Sequence, residues 1–334
     1  MASFWLYKFP KSQFLESIPV QTSSFVSQTV IVTGSNTGLG FEAARQIAHL
    51  GASKLILACR TVATAEAAAA KIAADLGDKA SKTEIEVWKL DISSFSSVKA
   101  FADRAKGLDR LDAVLQNAGA INPKFEILDE SGEESNLMTL VTGPVLFGLL
   151  LLPILRASAK KTGSRGRLAY VGSDTHYIAQ AKESQVADRP LFDAMNDPKI
   201  ANMGNRYMTS KLLLYLAVKE IAARSPLSED SNVIITVLTP GLCWSDLQRN
   251  ASWAERIFMT GMLTVIARKT EVGGRTLVHG VTQDLGPEAH GNFLMDCKIG
   301  DEPDLSLQKR VADEIFPLME KTEPGVTSCL NAKA

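Results

Sequence analysis

A tyrosine and a lysine stand four residues apart in "NRYMTSKLLLYL", residues 205–216. Leu212, Leu213, Leu214, Leu216 and Val218 give this stretch a helical apolar face. A spacing of four then places Tyr207 and Lys211 one above the other on one side of the helix. A phenol and an ammonium so arranged can move a proton. A free phenol, with a pKa of about 10, is a poor base at neutral pH, and a cation one turn away favours its phenolate. The same two residue types also suit a wet helix surface, since both carry an apolar body and a polar tip. The pair alone does not decide between these readings.

A second chemical stretch is "TGSNTGLGFEAARQIAHLG", which follows the apolar run "TVIVTG" (29–34). Glycines fall at 34, 38 and 40. A chain that reverses sharply and brings its backbone against a pyrophosphate needs residues without Cβ atoms, and a helix that opens there presents free N–H groups to phosphate. An ordinary strand–helix turn is the plainer reading. Gly51 is placed to close the helix. The next apolar run ends "LACR", with Arg60 where NAD-binding units of this kind carry an acidic residue on the ribose. A guanidinium there suits a 2′-phosphate, so NADP(H) is favoured over NAD(H). A solvated arginine at a strand exit is the alternative.

These motifs need a scaffold, and the chain supplies a consistent one. Strand-like runs at 29–34, 54–60, 85–91, 111–119, 166–173, 233–241 and 291–296 alternate with amphipathic stretches at 39–50, 62–76, 94–106, 133–158 and 207–224. Several runs are apolar throughout, as strands covered on both faces are. The pattern predicts an α/β fold, a Rossmann-type doubly wound parallel sheet of about seven strands in a single domain. Residues 1–27 read as an N-terminal arm, 28–300 as the domain with lid segments at 176–206 and 244–270, and 301–334 as a C-terminal extension. With 36 Lys and Arg against 37 Asp and Glu, the balance gives no sign of nucleic-acid binding. Four dispersed cysteines (59, 243, 297, 329) argue against a disulfide framework or zinc site and fit a reducing, cytoplasmic setting; no metal is expected. The aromatic start "MASFWLYKFPKSQFLESIPV" is too interrupted for a signal peptide or a membrane span. It reads as an arm packed on the body; an interfacial anchor using Phe4, Trp5, Tyr7 and Phe9 is the alternative. The run 145–155 is likewise too short to span and is broken by Pro153.

Taken together, the motifs resemble the short-chain dehydrogenase/reductase superfamily. "TGSNTGLG" (33–40) is similar to its phosphate loop, "LD" (90–91) to its adenine contact, "NAG" (117–119) to its fourth-strand motif, and "PG" (240–241) to the turn after its sixth strand. Ser173 closes the fifth strand, and Tyr207 and Lys211 fit Y-x-x-x-K. "TGLGFEAARQIA", "LACR" and "TEVGGRTLVHG" resemble the retinol-dehydrogenase-like branch, and especially fungal members that act on secondary metabolites. The resemblance implies Ser173, Tyr207 and Lys211 as catalytic residues. It implies cofactor contacts from Gly34, Ser35, Asn36, Thr37, Gly38, Leu39, Gly40, Arg60, Asp91, Ile92, Asn117, Ala118, Gly119, Tyr207, Lys211, Pro240, Gly241, Leu242 and Ser245. The implied reaction is reduction of a small-molecule carbonyl by NADPH, with the proton from Tyr207. His176, Tyr177 and Trp244 are placed to line an apolar pocket, or simply to pack. A monomer or homodimer is expected, with 133–158 and 207–224 the superfamily's usual dimer helices.

One departure bears on the chemistry. Where the superfamily carries an Asn that supports a water behind the active-site lysine, alignment places Leu140; Asn136 matches a different position. Leucine cannot hold water, so a proton relay would run through Thr139 or Thr142, or be impaired. Pro144 is expected to kink the helix. These departures leave open a non-redox isomerase or cyclase on the same fold, or a catalytically weak NADP(H)-binding protein.

Overall fold

The computed structural model describes residues 4–244 and 266–331; Ser245, Trp253, Phe258 and most of the 244–270 lid segment lie outside the described residues. Eight strands form one sheet: β1 (Thr29–Thr33), β2 (Lys54–Cys59), β3 (Glu84–Lys89), β4 (Ala113–Gln116), β5 (Gly166–Val171), β6 (Val233–Thr239), β7 (Phe293–Met295) and β8 (Lys298–Ile299). Their order is β3-β2-β1-β4-β5-β6-β7-β8. Every pairing is parallel except β7 with β8. The Rossmann-type sheet read from the sequence is present, with an eighth, antiparallel strand of two residues that carries too little pattern to be read. The run 111–119 is strand only over β4, because the chain leaves the sheet at Asn117 to build a loop.

The α-helices of eight or more residues among the described residues are α1 (Gly38–His49), α2 (Val62–Leu76), α3 (Phe95–Ala105), α4 (Ser135–Thr162), α5 (Arg206–Ala223), α6 (Thr270–His279) and α7 (Gln308–Thr322). Alternation along β1 shows how the sheet divides two cores. Ile31 points to the core shared with α3, α4, α5 and α7, while Val30 and Val32 point to the core shared with α1, α2 and α6. The sequence order reverses between β1 and β4, and the crevice at the carboxyl ends of those strands is where open sheets of this type take a dinucleotide.

Helix α4 is longer than its apolar run implies and suits a membrane span in length and composition, yet most of it is buried within the protein. Glu134 opens it, accepting hydrogen bonds from the N–H groups of Asn136 and Leu137 at 3.1 Å each. Residues Met138–Thr142 form a π-turn, and Pro144 follows in the first turn of the ensuing α segment. Pro144 is therefore not a kink in a regular helix: the wider turn absorbs it. Proline has no N–H to return to the Leu140 carbonyl four residues back. The C-terminal extension packs on α4 and α5. α7 buries Val311, Ile315, Phe316 and Met319 and packs on α5, with the Arg224 guanidinium 4.5 Å from the Phe316 ring centre. The turn Val326–Asn331 packs on α4, where Arg156 donates to the Cys329 carbonyl.

Within the α4 region the Thr142 hydroxyl donates to Glu133, whose carboxyl is buried. Burial pushes this carboxyl from 4.5 up to about 7, opposed by the Thr142 hydrogen bond. The folded state thus binds a proton that the unfolded chain gives up near 4.5. Its contribution to stability is complete below about pH 4.5 and is lost as pH rises to about 7. Thermal unfolding of wild type and Glu133→Gln at pH 5 and pH 8 checks this. The variant should gain on wild type at pH 8 relative to pH 5, by on the order of 3 kcal/mol at most; equal pH dependence would contradict it.

Candidate active site

Two elements bring the chemical residues together at the carboxyl end of the sheet. β5 ends at Val171, and Ser173 follows two residues later. α5 carries Tyr207 in its first turn and Lys211 one turn on. The phenol of Tyr207 faces the Ser173 side chain. The Lys211 ammonium lies 5.9 Å from the Tyr207 ring centre and donates to the Val171 carbonyl at 2.6 Å. Ser173 has two roles here. It accepts from the Thr175 N–H at 3.2 Å, capping the turn Asp174–Ile178, and it faces Tyr207.

Burial sets the electrostatics. It pushes the Tyr207 phenol up to about 12, opposed by the hydrogen bond from Ser173. It pushes the Lys211 ammonium down to about 8. A neutral phenol beside a desolvated lysine is a proton donor at neutral pH. Leu140 lies in the π-turn that packs on α5, and it is buried. A Cβ on Gly119 would stand 3.1 Å from Leu140 Cδ2, so this leucine leans on the loop that follows β4. The Thr142 hydroxyl donates to Glu133 and lies against Met138 Sδ. Asn136 clamps that same loop, accepting from the Asn122 N–H at 2.8 Å and donating to the Asn122 carbonyl at 2.9 Å.

The glycine-rich turn has the form a pyrophosphate requires. Gly34 and Gly38 have φ of +62° and +59°. A Cβ on Gly40 would fall 2.4 Å from both Asn117 Nδ2 and the Gly34 carbonyl. Asn117 Nδ2 donates to the Thr33 and Gly34 carbonyls, and the Thr33 hydroxyl accepts from the N–H groups of Asn117 and Ala118. Thr37 precedes α1 without a side-chain cap, and a Cβ on Gly38 would meet no other atom, so the first N–H groups of α1 are left to meet an anion. Ser35 turns inward to the Val32 carbonyl, while Asn36 reaches Thr64, and Leu39 is half-buried at the start of α1. Asp91 accepts from the Ser93 N–H at 3.0 Å, and Ile92 beside it is buried. Arg60 is exposed just past the end of β2 and forms no ion pair among the described residues.

Other residues are placed differently. His176 is buried, stacked on Tyr215 and edge-on to Phe293, and burial pushes its imidazole down to about 3. Tyr177 lies under the Lys8 ammonium, 4.1 Å from its ring centre, and Trp244 is exposed.

A further group was not legible in the sequence. The Gln13 amide accepts from the Leu242 N–H at 3.2 Å and donates to the Leu242 and Ile266 carbonyls at 2.9 and 2.7 Å. Arg268, buried, pairs with Asp296 at 2.8 Å and donates to the Pro240 carbonyl at 3.2 Å. The arm thereby holds the Pro240–Leu242 turn, in which Gly241 has φ +71°. Asp174, buried next to Ser173 and pushed up to about 6 by burial, was also missed. No local spacing marks any of these residues; only the dense Ser-Asp-Thr run after β5 hints at Asp174.

Comparison with known proteins agrees with this geometry. Residues 28–183 match the family model described as short chain dehydrogenase. The chain is 34% identical over 333 residues to short chain dehydrogenase FGM9 of Gibberella zeae, covering 98% of this chain and 95% of that protein. It is 36% identical over 340 residues to short-chain dehydrogenase anuD of Penicillium roqueforti, covering 97% and 86%. Among solved structures it resembles a 3-oxoacyl (acyl-carrier-protein) reductase from Agrobacterium tumefaciens C58 with NADP bound, with a TM-score of 0.59, 19% identity, and 84% and 97% of the two chains covered. That likeness is one of fold. The chain belongs to the short-chain dehydrogenase family, whose members are nicotinamide-dependent oxidoreductases.

Proposed function

We propose that this oxidoreductase reduces a ketone or aldehyde with NADPH, and that its substrate is an apolar or polycyclic secondary metabolite. The observation that carries the reading is the convergence of Ser173, Tyr207 and Lys211 at one strand end, where burial pushes the phenol pKa up. Bound nicotinamide supplies the hydride. Ser173 holds the carbonyl oxygen, Tyr207 gives that oxygen its proton, and Lys211 fixes the phenol's surroundings and the nicotinamide ribose. The fungal relatives support a place in fungal metabolism. The C-terminal extension over α4 and α5 supports a monomer.

The cofactor assignment rests on Arg60. It is exposed, without an ion pair among the described residues, at the strand exit where a carboxylate would repel a 2′-phosphate. A charge-assisted contact of this kind is worth roughly 1.5–3 kcal/mol. In a fluorescence titration, Arg60→Ala should weaken NADPH binding about 10- to 100-fold and leave NADH nearly unchanged; equal losses for both would remove the assignment.

Tyr207→Phe deletes only the hydroxyl. Acid–base groups typically supply ~10²- to 10⁴-fold in rate, so NADPH consumption with a ketone panel should drop by that order while NADPH affinity holds. Near-normal turnover would place the proton source elsewhere. Product formation without NADPH consumption would favour the non-redox reading that the Leu140 departure allows.

A further inference from the structure

The N-terminal arm is built inside out. Its polar Ser12 and Gln13 are buried, and so is Phe4, while Trp5, Leu6, Tyr7, Phe14 and Leu15 face outward, from 52% to 81% exposed. Of the eleven exposed large apolar side chains among the described residues, seven lie within residues 5–26. Soluble proteins scatter such residues; a concentration marks a surface that meets something apolar.

The arm is fixed and not a loose tail. Gln13 holds Leu242 and Ile266, Ser12 donates to Asp296 at 2.9 Å, and Lys8 pairs with Asp301 at 2.8 Å. Farther along, Glu16 pairs with Lys298 at 2.9 Å. Every one of these anchors lies after β6 or at the β7–β8 turn, on the end of the sheet that holds Ser173 and Tyr207. The inward polar side chains are saturated by these bonds, so the apolar side is held outward by the fold.

We propose that this outward face docks on a lipid bilayer surface, with the arm lying in the headgroup region. Two observations select a bilayer over a second copy of the chain. The side chains are those that settle at a membrane interface, Trp and Tyr beside Leu and Phe. And residues 4–15 hold no acidic residue, while Lys11 is exposed and forms no ion pair among the described residues, a charge that complements anionic headgroups. A docked arm sets the carboxyl end of the sheet toward the lipid, where an apolar substrate would be dissolved. The docking itself does not depend on the reading of the reaction.

Co-sedimentation of the full-length protein with vesicles tests this without any substrate. Wild type should pellet with phosphatidylcholine–phosphatidylserine vesicles, more weakly with phosphatidylcholine alone, and less as salt is raised. A Trp5→Ser, Leu6→Ser, Leu15→Ser variant should lose partitioning by about 10-fold or more, with NADPH affinity unchanged as proof of an intact fold. Wild type that stays in the supernatant with both vesicles overturns the proposal. So does a variant that pellets equally well, or a wild-type dimer in light scattering that the triple variant dissolves in the absence of any vesicle binding.

Discussion

A lysine ammonium taken out of water with one neutral acceptor is the constraint around which the rest of the site is arranged. Lys211 is 7% exposed and donates a hydrogen bond to the Val171 carbonyl. Desolvation penalises its charge, and no carboxylate offsets that penalty. A charge so held is usable only if the surrounding elements do not relax. Parallel pairing of β5 with β4 and β6 fixes Val171, and the buried face of α5, from Leu212 to Val218, fixes the lysine's backbone. The tyrosine one turn earlier then takes a position it could not choose for itself.

The cofactor end follows from the same sheet. Because the strand order reverses between β1 and β4, the loops after them open a crevice, and Thr33 and Asn117 stitch those loops together. α4 crosses behind both ends. Its π-turn presses Leu140 onto Gly119 while packing on α5, so one helix touches the cofactor loop and the catalytic helix at once. Leu140, buried at that junction, offers no polar side-chain group to a water. Burial lowers the lysine and raises the tyrosine, and both shifts favour the protonated phenol that reduction needs.

Residues whose role is local were readable from the sequence. Gly34, Gly38 and Gly40 declare a turn because only glycine fits it, and Tyr207 and Lys211 declare a helix face through their spacing. The fold was readable because β1, β2 and β6 are apolar on both faces. What was not readable depends on partners distant in sequence. Gln13 meets Leu242 across 229 residues, and Arg268 finds Asp296 only once β7 is in place. The π-turn at Met138–Thr142 has no signature beyond Pro144, which by itself reads as a kink. α7 was missed because its amphipathic pattern lies beyond the last motif, and β8 because two residues show no period.

The central claim is that Leu140 dries the surroundings of Lys211 and so biases the enzyme toward reduction. The rival is that a water already sits there, on Thr139 or on the Leu140 carbonyl that Pro144 leaves without its usual N–H. The pH dependence of kcat in both directions, measured for wild type and Leu140→Asn, separates the two. A wetter lysine holds its charge to higher pH and stabilises the phenolate. Leu140→Asn should therefore raise oxidation more than reduction and move the oxidative profile to lower pH. Superimposed profiles would contradict the drying account.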